Sequence, residues 1–393
     1  MRQSLCQATA GVGGIVYLAS LELRIHHSLD EIDASAWNAM VRDNNPFIRH
    51  EFLAALEHHG CVGEEYGWMP CHVAAYDSGR LVGAMPLYKK SNSYGEFVFD
   101  EAWADAWRQQ EMDYFPKLVS AIPYTPATGQ RLLSLAGEED CVYLALLQTA
   151  QQHANEIQAS SLHCLFPPVG EHDFLSKYMH TRESCQFHWA NKAYTCFDDF
   201  LAALVPKKRK NIRQERRRVR DQGIKIRLLQ GDEASAQDWQ DFALFYKKLF
   251  DEKWGTPTLN EGFFIEVARL MPQQTILVMA DLDGQCVAGA LMYRSDTTLY
   301  GRHWGCIEQL DALHFEACYY QGIEYCIKQG LQSFEPGAGG EHKMARGFVP
   351  VITHSNHWLL NKYFDAAIKQ FVQREREGVR AYVLEQEARS PYR

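Results

Sequence analysis

ILVMADLDGQCVAGALMY, residues 276–293, decides the fold, because CHVAAYDSGRLVGAMPLY, residues 71–88, has the same plan about 206 residues earlier. In each stretch, short β-prone runs flank a tight turn, Asp283-Gly284 in one and Asp77-Ser78-Gly79 in the other, and such turn sequences favour a hairpin. Gly83-Ala84 matches Gly289-Ala290, Tyr88 matches Tyr293 within one residue, and Tyr94-Gly95 matches Tyr300-Gly301. Three anchors at a nearly constant offset mark a duplicated unit.

The flanking sequence extends both copies. Around the second, 236–251 and 261–270 have helical periodicity, with Phe242, Phe245, Tyr246 and Leu249 on one face. A third strand is expected at 297–304, a long helix at 310–329 stopped by Gly330, and a short strand at 331–334. In the first copy SYGEFVFD, residues 93–100, stands where the third strand belongs, and 103–126 reads as an ordered loop rich in Trp, Tyr and Pro. A helix at 142–157 and a strand at 161–166 follow, and 361–388 reads as a closing helix. Helices, an antiparallel meander, a helix and a further strand make an α+β order rather than a doubly wound one. The expected division is an extension over 1–20, a first unit over 21–190, a basic segment over 191–223 and a second unit over 224–393.

Composition agrees. The chain has 393 residues, 46% of them hydrophobic and 12% aromatic, which suits two globular cores. No run approaches the roughly 20 apolar residues of a spanning helix. The apolar run at 11–19 has little charge ahead of it and no clean cleavage site, so it reads as an extension rather than a secretory signal. Eleven cysteines without a CxxC pair suggest neither zinc nor redox chemistry, and reduced thiols point to the cytoplasm. The net charge is −9, yet 207–220 alone carries nine Lys or Arg against one Glu. That segment is therefore +8 in a remainder of −17, and a helix there would align Lys207, Lys210, Arg213, Arg217 and Arg220 for a polyanionic partner: RNA, a nucleotide-linked precursor or an anionic membrane surface.

NPFIRHEFLAALE (45–57), LVGAMPLYKKSNSYGEFVFD (81–100), FPKLVSAIPYTPATGQRLL (115–133), YGRHWG (300–305), LHFEACYYQGIEY (313–325) and FEPGAGGEHKMARGF (334–348) together resemble the FemAB-like predicted N-acyltransferases. The resemblance spans roughly 44–357. It implies two tandem GNAT-like domains with mixed, mostly antiparallel sheets, similar to enzymes that add amino acids from aminoacyl-tRNA to peptidoglycan precursors. The implied activity is transfer of an acyl or aminoacyl group from an activated carrier, acyl-CoA or aminoacyl-tRNA, to an amine, with no metal. The alternative is a module that recognises peptidoglycan fragments or nucleic acid without turnover.

Acyl transfer to an amine needs an uncharged nucleophile, donors for the oxyanion and a dock for the carrier. Tyr300, Arg302 and His303 lie on the strand expected to splay from its neighbour, and Tyr124 belongs to the aromatic loop of the first unit. The glycine-rich turn 334–348 collects Glu335, Glu341, His342, Lys343 and Arg346. Glu335 or Glu341 is the candidate base, and Lys343 and Arg346 are candidates for phosphate or carboxylate. Glu316 is a secondary candidate, and His314 with Glu316 is no metal pair, because i and i+2 on a helix point apart. Acetyltransferases of this fold hold the CoA pyrophosphate on a Gln/Arg-x-x-Gly-x-Gly/Ala turn. Here the corresponding 305–310 reads GCIEQL, which argues against CoA in that mode.

Overall fold

The computed structural model describes residues 21–252 and 255–393; the extension expected at 1–20 lies outside them. The first unit contributes β1 (Glu22–His26), β2 (Trp68–Pro70), β3 (His72–Asp77), β4 (Arg80–Met85), β5 (Tyr88–Lys90), β6 (Lys117–Ser120), β7 (Leu133–Ser134) and β8 (Ser161–Leu165). Then come β9 (His180–Ala190), β10 (Lys225–Gln230), β11 (Thr275–Leu282), β12 (Gln285–Arg294), β13 (Thr298–Cys306), β14 (Ser333–Glu335) and β15 (Val349–Leu359).

Both duplicated hairpins are present, β3 with β4 and β11 with β12. Their turns place Ser78 and Gly79, and Asp283 and Gly284, at positive φ, as a two-residue turn matched to strand twist requires. Each hairpin also carries a bulge at the same place, between Ala75 and Tyr76 and between Ala280 and Asp281. The bulges and the Tyr88/Tyr293 pair share one offset, whereas the two Gly-Ala pairs are displaced from it by one residue. The Tyr94-Gly95 anchor is not equivalent at all: SYGEFVFD forms no strand, and the third strand of the first unit is β6. The loop expected at 103–126 is likewise corrected, since it holds most of the helix Glu101–Gln109 and all of β6. That helix has Trp103 and Trp107 on its buried side, which overrides the loop-like composition.

The two units share a sheet. One sheet runs β10-β11-β12-β13-β14-β9-β15-β8-β6-β5-β2, and a second, four-stranded one runs β1-β3-β4-β7. The pairs are antiparallel except at β6/β8 and β13/β14, the same step in each unit. At the join the units exchange strands. β9, the last strand of the first unit, pairs with β14 of the second, and β15, the last strand of the second, pairs with β8 of the first. β9 and β15 then pair with each other, centred on Ser184 opposite Thr353. A pseudo-twofold relation between the units follows from that arrangement.

Aromatic packing continues the join above the sheet. The segment around Asn45 drives Phe47 against Tyr300 and Tyr293, with ring centroids 5.0 and 5.5 Å apart, and Phe52 lies 5.4 Å from Phe263. The equivalent helices His50–His58 and Glu261–Leu270 pack on each other, and His58 and His59 both bond Glu266 at 2.9 and 2.7 Å. The hydrophobic core is accordingly continuous across the two units.

Candidate active site

The last paired residues of β13 and β14 are Tyr300 and Glu335; β14 ends there while β13 runs on to Cys306. Among the described residues, this leaves the edge of β13 from Gly301 onward without a strand partner on that side. β13 is bulged at the same point, since Gly301 faces Met292 and His303 faces Leu291, leaving Arg302 as the extra residue. A Cβ at Gly301 would lie 3.3 Å from Pro336 Cα, so glycine is what lets the departing chain pass close to the strand.

Two hollows meet on this edge. A pocket of about 110 Å³ is lined by Gly301, Arg302, His303, Trp304, His314, Cys318, Tyr319 and Pro336. A cavity of about 920 Å³ shares Arg302, His303, Trp304 and Pro336 with it and extends between the units to Tyr94, Phe97, Phe115, Tyr124, Tyr246 and Phe250. Arg302 bridges the units by donating to the Tyr124 carbonyl and to Thr125 Oγ1. Tyr124, at positive φ, is fixed from its other end by a 2.7 Å bond to the Cys61 carbonyl. Burial lowers the Arg302 pKa to about 10, and burial beside Arg302 holds His303 well below the usual histidine range, so its imidazole is neutral. That ring stands edge-on to Tyr246, 5.1 Å away.

The helix beyond β13 contains a π-turn over Glu316–Tyr320, an irregularity frequent at functional sites. Tyr319, which the sequence did not single out, lines the small pocket from this turn, and its hydroxyl is 3.0 Å from His342 Nε2. Burial raises the Tyr319 pKa far above its ordinary value, so the phenol keeps its proton. Burial and the Arg346 and Lys343 charges lower that of His342.

The other polar residues of the glycine turn do not converge here. Lys343 is buried and donates to the Gly337 and Ala338 carbonyls at 2.7 and 3.2 Å, with burial lowering its pKa to about 8. Arg346 stacks 3.4 Å over Phe315 and pairs with Glu215 at 2.8 Å. Glu341 is exposed and accepts from Tyr382 at 2.8 Å. Glu316 is buried in an ion pair with Arg216 at 3.0 Å, clamping the basic helix to the π-turn. Neither Lys343 nor Arg346 is therefore open to a phosphate, because each already serves the turn itself.

Glu335 faces a different cavity, about 600 Å³, lined also by Asn45, Thr128, Glu139, Glu171 and Tyr300. Its carboxylate accepts from the Thr128 N–H at 3.2 Å, and burial raises its pKa to about 7 against the Arg131 and Arg302 charges. Arg131 marks the corresponding splay of the first unit. Fully buried, it donates to the carbonyls of Ala127, Gly129, Gln130 and Leu165, the last being the end of β8. Glu139 and Asp140 begin the first unit's helix Glu139–Glu156, where a phosphate would be repelled.

The basic segment is the helix Pro206–Asp221, buried only at Ile212 and Val219. Lys207, Lys210, Arg213 and Arg217 are exposed, and Arg209, Lys210, Arg213, Gln214 and Arg217 line a groove of about 380 Å³. Arg213 is paired with Asp198 at 3.0 Å. Among the described residues, no group of three His, Cys, Asp or Glu side chains could hold a metal ion, and no helix is long and apolar enough to cross a membrane.

No curated protein matches the chain. Of solved structures, FemX is similar at 11% identity and a TM-score of 0.52, covering 88% of this chain and 100% of its own. L-PGS from Bacillus licheniformis follows at 12% and 0.50, covering 81% and 91%. The C-terminal domain of a putative lysylphosphatidylglycerol synthetase from Agrobacterium fabrum stands at 10% and 0.51, covering 88% and 96%. At such identities these likenesses establish the fold, two GNAT-type units in tandem. The FemAB-like family model, described as peptidoglycan biosynthesis/recognition, matches residues 28–393, and the chain belongs to that family.

Proposed function

We propose that the second unit is the catalytic one and transfers an acyl group from an activated carrier to an amine at the unpaired edge of β13. The observation that carries this reading is that the small pocket and the large cavity share Arg302, His303 and Trp304 of that edge. Main-chain N–H groups beyond Gly301 are suited to an oxyanion, being fixed in advance by the β12 pairing. Tyr319, protonated and lining the pocket, is suited to giving a proton to the leaving group, and His342 to orienting and resupplying it. Glu335 faces the acidic cavity and takes no part in this assignment. The groove on the basic helix is suited to the phosphates of the carrier, whether RNA or a nucleotide, which would replace the missing CoA turn.

The test is transfer of label from acyl-CoA or aminoacyl-tRNA pools to amines by the full chain. Tyr319→Phe is expected to lower kcat by about 10²-fold with donor affinity unchanged. Absence of transfer from either pool would favour the family's recognition role instead.

A further inference from the structure

We propose that the group transferred is an apolar acyl chain, held in the 920 Å³ cavity between the units, rather than an amino acid. The proposal rests on the transferase reading and narrows its substrate. The cavity lies at the upper end of the size range of pockets that enclose whole small molecules. Tyr246, Leu249 and Phe250 form one wall, from the helix Ala236–Glu252, and Phe97, Phe115 and Tyr124 of the first unit form the other. Phe97 and Phe99 line it while remaining 41% and 71% exposed, so apolar surface continues to the mouth.

The charges are arranged to the same effect. An aminoacyl group carries an α-ammonium, and burying a cation without an acid to meet it is costly. The carboxylates that line this cavity, Glu101 and Asp105, are exposed residues of the helix Glu101–Gln109, and Asp105 is paired with Arg108 at 2.7 Å. At the β13 end stand Arg302, a cation already committed to Tyr124 and Thr125, and His303, a neutral ring packed on Tyr246. Glu335, next in sequence to the lining residue Pro336, lines the other cavity. An acyl carbonyl placed on the β13 edge thus leads its chain into an aromatic space with no interior acid among the lining residues.

The experiment measures binding of acyl N-acetylcysteamine thioesters to the full chain by calorimetry, using acetyl, hexanoyl, dodecanoyl and alanyl forms, with transfer to amines assayed separately. Affinity is expected to rise about fourfold per buried methylene and the alanyl form to bind no better than the acetyl one. Leu249→Glu, at a partly exposed wall position, should abolish the rise with chain length, as should Phe97→Ser at the mouth should the first variant fold poorly. Flat dependence on chain length, preference for the alanyl form, or a rise that survives both substitutions would overturn the proposal. Chain-dependent binding without any transfer would instead sink the transferase reading and leave the cavity assignment standing.

Discussion

Arg131 shows how one side chain separates the two units. Its guanidinium satisfies main-chain carbonyls at the splay of the first unit, where the second unit keeps an open edge. Beside it, Glu171 accepts from the N–H groups of Arg131 and Leu132 at 2.7 and 3.0 Å, yet burial still raises its pKa to about 7. A carboxyl whose folded pKa exceeds its unfolded value favours the folded state while protonated. That contribution is complete below the unfolded value near 4.5 and is lost as pH rises through about 7. Glu171→Gln should therefore gain stability relative to wild type between pH 5 and pH 8.5, by up to about 3 kcal/mol, in urea titrations at the two values. The residues of the site were only partly legible in the sequence. Arg302 and His303 lie where strand logic placed them, because a strand leaving its neighbour exposes whatever it carries. Lys343 and Arg346 were read as ligand-facing because a glycine-rich turn resembles a binding loop; in the fold, their charges hold that turn together.

At the scale of elements, pattern was a good guide wherever partners were local. The hairpins, the helices Ala236–Glu252 and Glu261–Leu270 and the Gly330 stop are all set by neighbours a few residues away. β9 and β15 were not legible. HTRESCQFHWA lacks a clean alternation because it is buried between two other strands and under the helix Lys362–Glu387, and its pairing partners come from distant sequence. Close approach between elements gives a sharper test. A Cβ on Gly305 would stand 2.4 Å from the Phe245 backbone, so β13 and the helix above it would have to part. Gly305→Ala is expected to cost on the order of 1–3 kcal/mol in denaturant unfolding and to loosen the site on the same strand. On the basic helix, Lys210→Glu with Arg217→Glu should weaken binding of a polyanion such as single-stranded RNA and flatten the dependence of log Kd on log salt by about 0.7 for each phosphate no longer neutralised. An unchanged slope would mean that those cations are a solvated face.

For the whole molecule, the shared sheet and the shared core make the two units one thermodynamic body. Far-ultraviolet dichroism and tryptophan fluorescence should report coincident unfolding curves, because β9 and β15 cannot leave one unit without stripping the other. Two separated transitions would contradict the exchange. Duplication supplied two splayed sheets, and the fold keeps one filled by Arg131 and the 125–132 loop and one open beneath the aromatic segment 94–99.

The pairing of Ser184 with Thr353 also fixes an order of events during synthesis. When β8 has left the ribosome its outer edge has no partner, and it stays bare until β15 emerges nearly two hundred residues later. At about 5–20 residues per second that interval lasts on the order of ten seconds or more. Throughout it the nascent first unit presents an unpaired strand of the kind that recruits other chains. The exchange that unites the finished protein thus leaves its first half with an unpaired strand edge while the second is still being made.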